Sequence, residues 1–133
     1  MLSSMIWTGA NAVMVLLFLF SASLQFNDPD PVQWVAVYTA AAVISGFEVA
    51  RRTRIWAPLA LTCVAVIWAA FIASGVHDVR FADMFAQWEM KNVQIEEERE
   101  TYGLLIVATW MIAIAVASWR RRRSQGPTVI PPA

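Results

Sequence analysis

The fold is decided by a short polar stretch near the N-terminus, which reads Gln25-Phe26-Asn27-Asp28-Pro29-Asp30-Pro31-Val32-Gln33-Trp34. An apolar run lies on each side of it, and each run is long enough to cross a bilayer. Acids and prolines cannot lie in hydrocarbon, because an unpaired backbone group there costs several kcal/mol and proline removes a donor. We therefore predict a tight turn at a membrane surface.

The composition places the chain outside the soluble globular class. Of its 133 residues, 59% are hydrophobic and 15% are charged, which indicates an integral membrane protein. Cys63 is the only cysteine, so an intrachain disulfide and a cysteine-based metal cluster are excluded. Residues 1–4 lack the basic residues of a secretory signal, and we predict that the first apolar run is an uncleaved transmembrane helix.

Four apolar windows predict an all-α membrane protein, a four-helix transmembrane bundle with up-down topology. Each window approaches the roughly 20 residues that a helix needs to cross the hydrocarbon core. Short connections make the first three helices antiparallel neighbours. The predicted domain covers residues 1–123 and a polar, proline-containing tail covers 124–133; the spans are about 5–26, 32–50, 55–76 and 101–119.

The long connection between the third and fourth spans has a helical pattern of its own. Its apolar residues recur every three to four positions, which predicts a short interfacial amphipathic helix at about 79–91. The residues of this stripe are Phe81, Met84, Phe85 and Trp88. The acidic run 96–100 follows, and acids in a first helical turn are favoured by the macrodipole. We expect the fourth helix to begin before the membrane does.

Basic residues predict the orientation of the bundle. With cytoplasmic termini, seven basic residues lie inside and three outside, as the positive-inside rule favours. We therefore predict cytoplasmic N- and C-termini in a plasma or inner membrane. Glu48 is the only acid on the inner side, and the sequence offers it Arg51 and Arg52 at i+3 and i+4 as helix-end partners.

Two blocks of sequence resemble the transmembrane protein 220 family. The first is Gln25 to Asp30, followed by Trp34 and the run Val37-Tyr38-Thr39. The second is Glu96-Glu97-Glu98-Arg99-Glu100, followed by Gly103-Leu104 and an apolar run that contains Trp110. The resemblance implies a small helical membrane protein and brings no agreed activity with it. The arginine-rich, proline-containing end after Trp119 departs from the family pattern.

The polar turn has two interpretations. Asparagine and aspartate cap backbone in turns, and an acid can N-cap a helix that begins with proline, so the structural interpretation assigns Asn27, Asp28, Pro29, Asp30 and Pro31 to a turn. We predict that Arg99 pairs with one of the turn acids and clamps the fourth helix to the first hairpin. The other interpretation is an outer-face site for a divalent cation such as Ca²⁺, whose hard oxygen ligands would come from Asp28, Asp30, Glu97 and Glu100.

The chain is rich in tryptophan, with seven in all, but its sequence contains no recognisable catalytic motif. No nucleophile and base constellation, paired catalytic acids, zinc-protease motif or phosphate-binding loop is present, so an enzyme is not expected. Most tryptophans fall in two interfacial belts, which leaves Trp68 and Trp110 near the midplane. These two are the candidates for contact with a bound lipid or pigment of a larger complex, with helix packing as the alternative.

These observations favour a binding or structural role. The first hypothesis is a small accessory subunit that uses protein–protein interaction with a larger membrane assembly, through faces of small residues spaced four apart. The second is an outer-face binder of a divalent cation or a cationic ligand. The expected partners are the lipid bilayer and other membrane protein subunits, and no nucleic acid is expected, because lipid attraction or topology explains the basic cluster 120–123.

Overall fold

The computed structural model describes residues 1–28, 31–74 and 93–127, with the backbone alone for 93–98. It has four α-helices in these ranges, and all four are long and apolar enough to cross a membrane. They are α1 (Leu2–Leu24), α2 (Pro31–Val49), α3 (Trp56–Ala73) and α4 (Val93–Ser124). A 3₁₀ turn, Gln25–Asn27, follows α1, and the predicted interfacial helix lies outside the described residues. The all-α membrane fold class is confirmed.

The helix ends follow from local sequence. Pro31 opens α2, where a missing N–H removes a donor that has no partner in the helix anyway. The end of α2 is a Schellman cap: Arg51 N–H donates to Glu48 O and Arg52 N–H to Phe47 O, both at 2.9 Å. Arg51 has a left-handed φ of 55°, which reverses the chain toward α3. The fourth helix begins at Val93, well before the apolar segment.

The bundle consists of two helix pairs. Along their backbones α1 packs closely on α2 and α3 on α4, whereas the two pairs approach each other much less. Long side chains close the space between the pairs, and two tryptophan stacks are prominent among them. Trp34 of α2 stacks on Trp68 of α3 with centroids 4.5 Å apart, and Trp7 of α1 stacks on Trp110 of α4 at 5.4 Å.

The core lies mainly against one stripe of α4. Leu104, Val107, Met111 and Ile114 are fully buried, and their spacing of three to four residues places them on one helix face. Most residues on the opposite faces of the four helices remain exposed, as expected where lipid replaces water. The stripe therefore turns the middle of α4 toward the other helices.

Candidate functional site

The most polar part of the interior surrounds Glu48, in the last turn of α2. The residue is 1% exposed, and Arg121 donates to both carboxylate oxygens, at 2.6 and 3.0 Å. Trp7 Nε1 donates to Oε1 at 2.9 Å. One carboxylate thus joins α1, α2 and α4. Because Glu48 and Arg121 both lie near the C-terminal ends of their helices, α2 and α4 run parallel, as the up-down topology requires.

The expected pairing of Glu48 with Arg51 and Arg52 is wrong. Pairing at i+3 and i+4 needs the helix to continue, but α2 ends at Val49 and the Schellman cap turns both arginines away. They are exposed, whereas Glu48 faces the bundle interior. A carboxylate buried there needs a charged partner, and the partner comes from α4.

Further polar side chains lie close to this ion pair. Asn11 is one turn from Trp7, and its Nδ2 donates to Trp7 O at 2.9 Å. Ser45 is one turn before Glu48, and both Asn11 and Ser45 are 0% exposed. Buried polar groups are expensive in hydrocarbon unless they are paired. Asn11 Oδ1 and Ser45 Oγ have no hydrogen-bond partner among the described residues, so of these buried polar groups it is the Glu48 carboxylate that joins the helices at this end.

The end of the bundle that carries the 3₁₀ turn Gln25–Asn27, which the charge pattern predicts to be the outer end, has a small polar pocket of about 230 Å³. It brings together Asp28 from the turn with Arg99 and Glu100 from α4, and Trp34 and Tyr38 of α2 also line it. The two predicted components of the outer surface, the turn and the acidic start of α4, therefore meet in one pocket. Asp28 itself closes the 3₁₀ turn, because its N–H donates to Gln25 O at 3.0 Å.

The structure describes the side chains of only two of the four proposed cation ligands. Asp28 and Glu100 line the outer pocket, while Pro29, Asp30 and the side chain of Glu97 lie outside the described residues. Within the described ranges, no group of three or more His, Cys, Asp or Glu residues is placed to hold a metal ion. Two acids and one arginine in the same pocket suit an internal ion pair as well as a bound cation.

The two candidate cofactor residues are both engaged in helix packing. Trp68 stacks on Trp34, toward the outer ends of α2 and α3, and Trp110 stacks on Trp7, beside the Glu48 carboxylate. They therefore lie at different depths. Contact with a lipid or pigment remains a prediction for both, and their observed contacts join the helix pairs.

The Glu48 and Arg121 pair was missed from the sequence, although one signal for it was present. Glu48 is the only acid on the predicted inner side, and a buried acid almost always has a partner. The four consecutive arginines at 120–123 offered such a partner. The rotation of α4 about its axis decides which of these arginines faces Glu48, and the sequence does not predict this rotation.

Four helices in the described ranges are long and apolar enough to span a membrane, and three of them meet at one buried carboxylate. These features define the class: an integral membrane protein with a small helical bundle. The chain belongs to the transmembrane 220 family, because the family model described as "Transmembrane family 220, helix" matches residues 17–116. The match begins within α1 and ends within α4, so it includes all of α2 and α3.

The chain is also similar to a curated relative, Transmembrane protein 220 of Xenopus laevis. The two are 31% identical over 108 residues, which cover 80% of this chain and 57% of the relative. The chain thus spans little more than half the length of that relative. No solved structure matches it significantly.

Proposed function

We propose that this protein is a non-catalytic accessory subunit that packs against a larger membrane protein assembly. One observation carries the proposal: a small-residue face on α4 is only partly covered by the rest of the described bundle. Small residues let helix backbones approach closely, and this is the main source of helix association where lipid is as apolar as the side chains.

The chain contains two stripes of small residues, and they are used differently. On α3, Ala65 and Ala69 are 0% and 3% exposed and pack inside the bundle. On α4, Thr109 is exposed, and Ala113 and Ala117 are half-buried. The Thr109 hydroxyl donates to Leu105 O at 2.8 Å, so this face carries no unsatisfied hydroxyl donor. The second stripe is suited to a helix from another chain.

A shallow groove runs beside this face. It has a volume of about 280 Å³ and lies between α1 and α4, with Met14, Ile106 and Thr109 among its lining residues. A side chain from a neighbouring helix would fill it and would gain dispersion contacts that loosely ordered lipid supplies less well. The stripe and the groove together form one surface, on the side of α4 that faces away from the core.

The test is an assembly measurement after gentle extraction. We expect the native protein to migrate in a complex much larger than one chain, with a different membrane protein present in fixed ratio. The variant Ala113→Leu should release the free chain, because a larger side chain prevents close approach. Ala70→Leu is the matched control, since Ala70 is exposed on α3, away from this surface. A native protein that runs alone or only with itself contradicts the proposal.

A second candidate function rests on the outer pocket, where Asp28 and Glu100 are brought together. A divalent cation or a cationic ligand would bind there through carboxylate oxygens. The acids act together only if Arg99, which lines the same pocket, does not neutralise them. This candidate therefore ranks below the accessory role.

A calcium titration tests the second candidate. We expect the melting temperature of the purified protein to rise with Ca²⁺, following the binding linkage, and to stay constant in Asp28→Asn. Sodium chloride at matched ionic strength controls for screening of surface charge. A melting temperature that does not move in the native protein removes this candidate and leaves the accessory role untouched.

A further inference from the structure

A wide groove lies between α2 and α3, on a different side from the proposed subunit contact. Its volume is about 580 Å³, and its walls are almost entirely apolar, with Ala40, Phe47, Ala57, Ala60 and Val64 among them. It opens because α2 and α3 approach each other only loosely and because three of these residues are alanines. A volume of this size is typical of sites for small ligands, which run from roughly 300 to 1,000 Å³.

The groove has close to the depth of one membrane leaflet. Its lining runs from Ala40 to Phe47 on α2 and from Trp56 to Val64 on α3, roughly 10–12 Å at 1.5 Å per residue, and the connection between the two helices extends it at the mouth. Half of the hydrocarbon core measures about 15 Å. Beyond the groove the helices close on each other, where Trp34 stacks on Trp68 at 4.5 Å. An acyl chain that enters at the membrane surface thus reaches a closed end near the midplane.

Positive charge surrounds the mouth of this groove. Arg52 and Arg54 line it, both are exposed, and neither has an ion pair in the part of the chain that the structure describes. The nearest acid along the chain, Glu48, is already held by Arg121 and Trp7. The mouth therefore has unneutralised positive charge at the depth of lipid headgroups.

The start of α3 adds to this field. Its N-cap, Ile55, makes no side-chain capping hydrogen bond. Ala57 N–H donates to Arg54 O at 3.1 Å and Pro58 has no N–H, so the attraction for an anion comes mainly from the helix dipole. Trp56, which is 65% exposed, lies at the same level and lines the groove. Tryptophan is favoured at this depth of a membrane. An apolar channel of leaflet length thus ends in two arginines, a helix N-terminus and an interfacial tryptophan.

We propose that this groove binds one anionic phospholipid, with an acyl chain between α2 and α3 and the phosphate group at Arg52 and Arg54. A lipid fits better than a protein helix, because the groove is only one leaflet deep and its single charged end lies at the surface. The inference does not depend on the accessory role. The lipid groove lies between α2 and α3 and contains no residue of the α4 surface on which the accessory role rests.

Native mass spectrometry of the detergent-purified chain tests headgroup selection. We expect one retained phosphatidylglycerol, bound about tenfold or more tightly than phosphatidylcholine of matched acyl chains, as two arginines near a membrane surface would provide. The double variant Arg52→Gln, Arg54→Gln should lose this preference. The control Arg122→Gln, Arg123→Gln removes the same charge from exposed positions on α4 and should keep it. Equal losses in both variants, or no preference in the native chain, would overturn the proposal.

A second variant tests the groove itself. Ala60→Phe fills it without changing any charge and should lower retention of both lipids, whereas Ala70→Phe, on the exposed side of α3 outside the groove, should leave retention unchanged. Glycerol phosphate, which has the same charged group and no acyl chain, should fail to compete. Effective competition by glycerol phosphate would mean that a free anion is bound, and it would overturn the assignment to a lipid. The double variant Arg52→Lys, Arg54→Lys preserves the charge and should retain the preference. This result would show that the glutamine variant loses the preference through its lost charge and not through misfolding.

Discussion

Replacing Arg121 with alanine is expected to lower the free energy of unfolding by about 3–5 kcal/mol, the typical cost of leaving one partner of a buried ion pair alone. The Glu48 side chain is 0% exposed, and the Arg121 side chain is 23% exposed. Without Arg121 the buried carboxylate of Glu48 loses its charged partner, so it must either take up a proton or draw water into the bundle, and both changes cost free energy. Reversible unfolding in mixed detergent, followed by circular dichroism, measures the loss.

Arg122→Ala is the matched control for this experiment. Arg122 is next in the chain, lies on the same helix and is exposed, so the substitution changes helix propensity equally and breaks no buried pair. We expect a change within about 0.5 kcal/mol there. Equal effects at both positions would show that the ion pair contributes nothing to stability.

Two changes at Glu48 separate charge from packing. Glu48→Gln keeps an oxygen for Trp7 Nε1 and for Arg121 but removes the charge, so it should cost less than Arg121→Ala, about 1–3 kcal/mol. The double variant Glu48→Leu, Arg121→Met removes both charges with similar volumes and should regain part of the stability, because apolar replacements of buried ion pairs are often neutral, whereas Trp7 Nε1 loses its acceptor. These outcomes would show that the ion pair adds little net stability and that its role is to fix the position of α4 against α2.

Replacing Gly103 with alanine is expected to destabilise the bundle. At an uncrowded position inside a helix, the same substitution stabilises the helix. A Cβ at Gly103 would meet the hydroxyl of Tyr38, so the Tyr38 side chain of α2 packs directly against the backbone of α4 at this position. Overpacking of this kind costs about 1–3 kcal/mol. The gain from replacing a helix-interior glycine is about 1 kcal/mol at most, so the loss prevails.

The Tyr38→Phe background reverses the sign of this prediction. Without the hydroxyl, the nearest ring atom is Tyr38 Cζ at 3.6 Å from the added Cβ, which is an ordinary contact. Gly103→Ala should then stabilise by up to about 1 kcal/mol. Gly9→Ala is the control, since nothing lies within 4 Å of a Cβ at that position. If Gly103→Ala stabilises the native chain as Gly9→Ala does, the close contact is refuted.

Some features of the candidate sites were accessible from sequence. The outer turn and the acidic run before the fourth span were both recognised as polar segments at one membrane surface, and Asp28, Arg99 and Glu100 do line one pocket. The pairing of Glu48 was predicted wrongly, because the local rule for i+3 and i+4 partners assumes a helix that continues. The arginine that binds it is 73 residues away.

The sequence by itself determined the class of protein and the four helices of the described residues that are long and apolar enough to span a membrane. These properties are local, because the bilayer sets the same requirement of apolar length and internal hydrogen bonding on each segment separately. Only the tertiary structure decided which faces meet: Ala65 inside, Thr109 outside, Trp34 on Trp68, and Glu48 with Arg121. In a soluble bundle the apolar stripe of each helix would reveal the inner face. Here both faces are apolar, since lipid is no more polar than the core, and helix rotation follows from shape and from a few buried polar contacts.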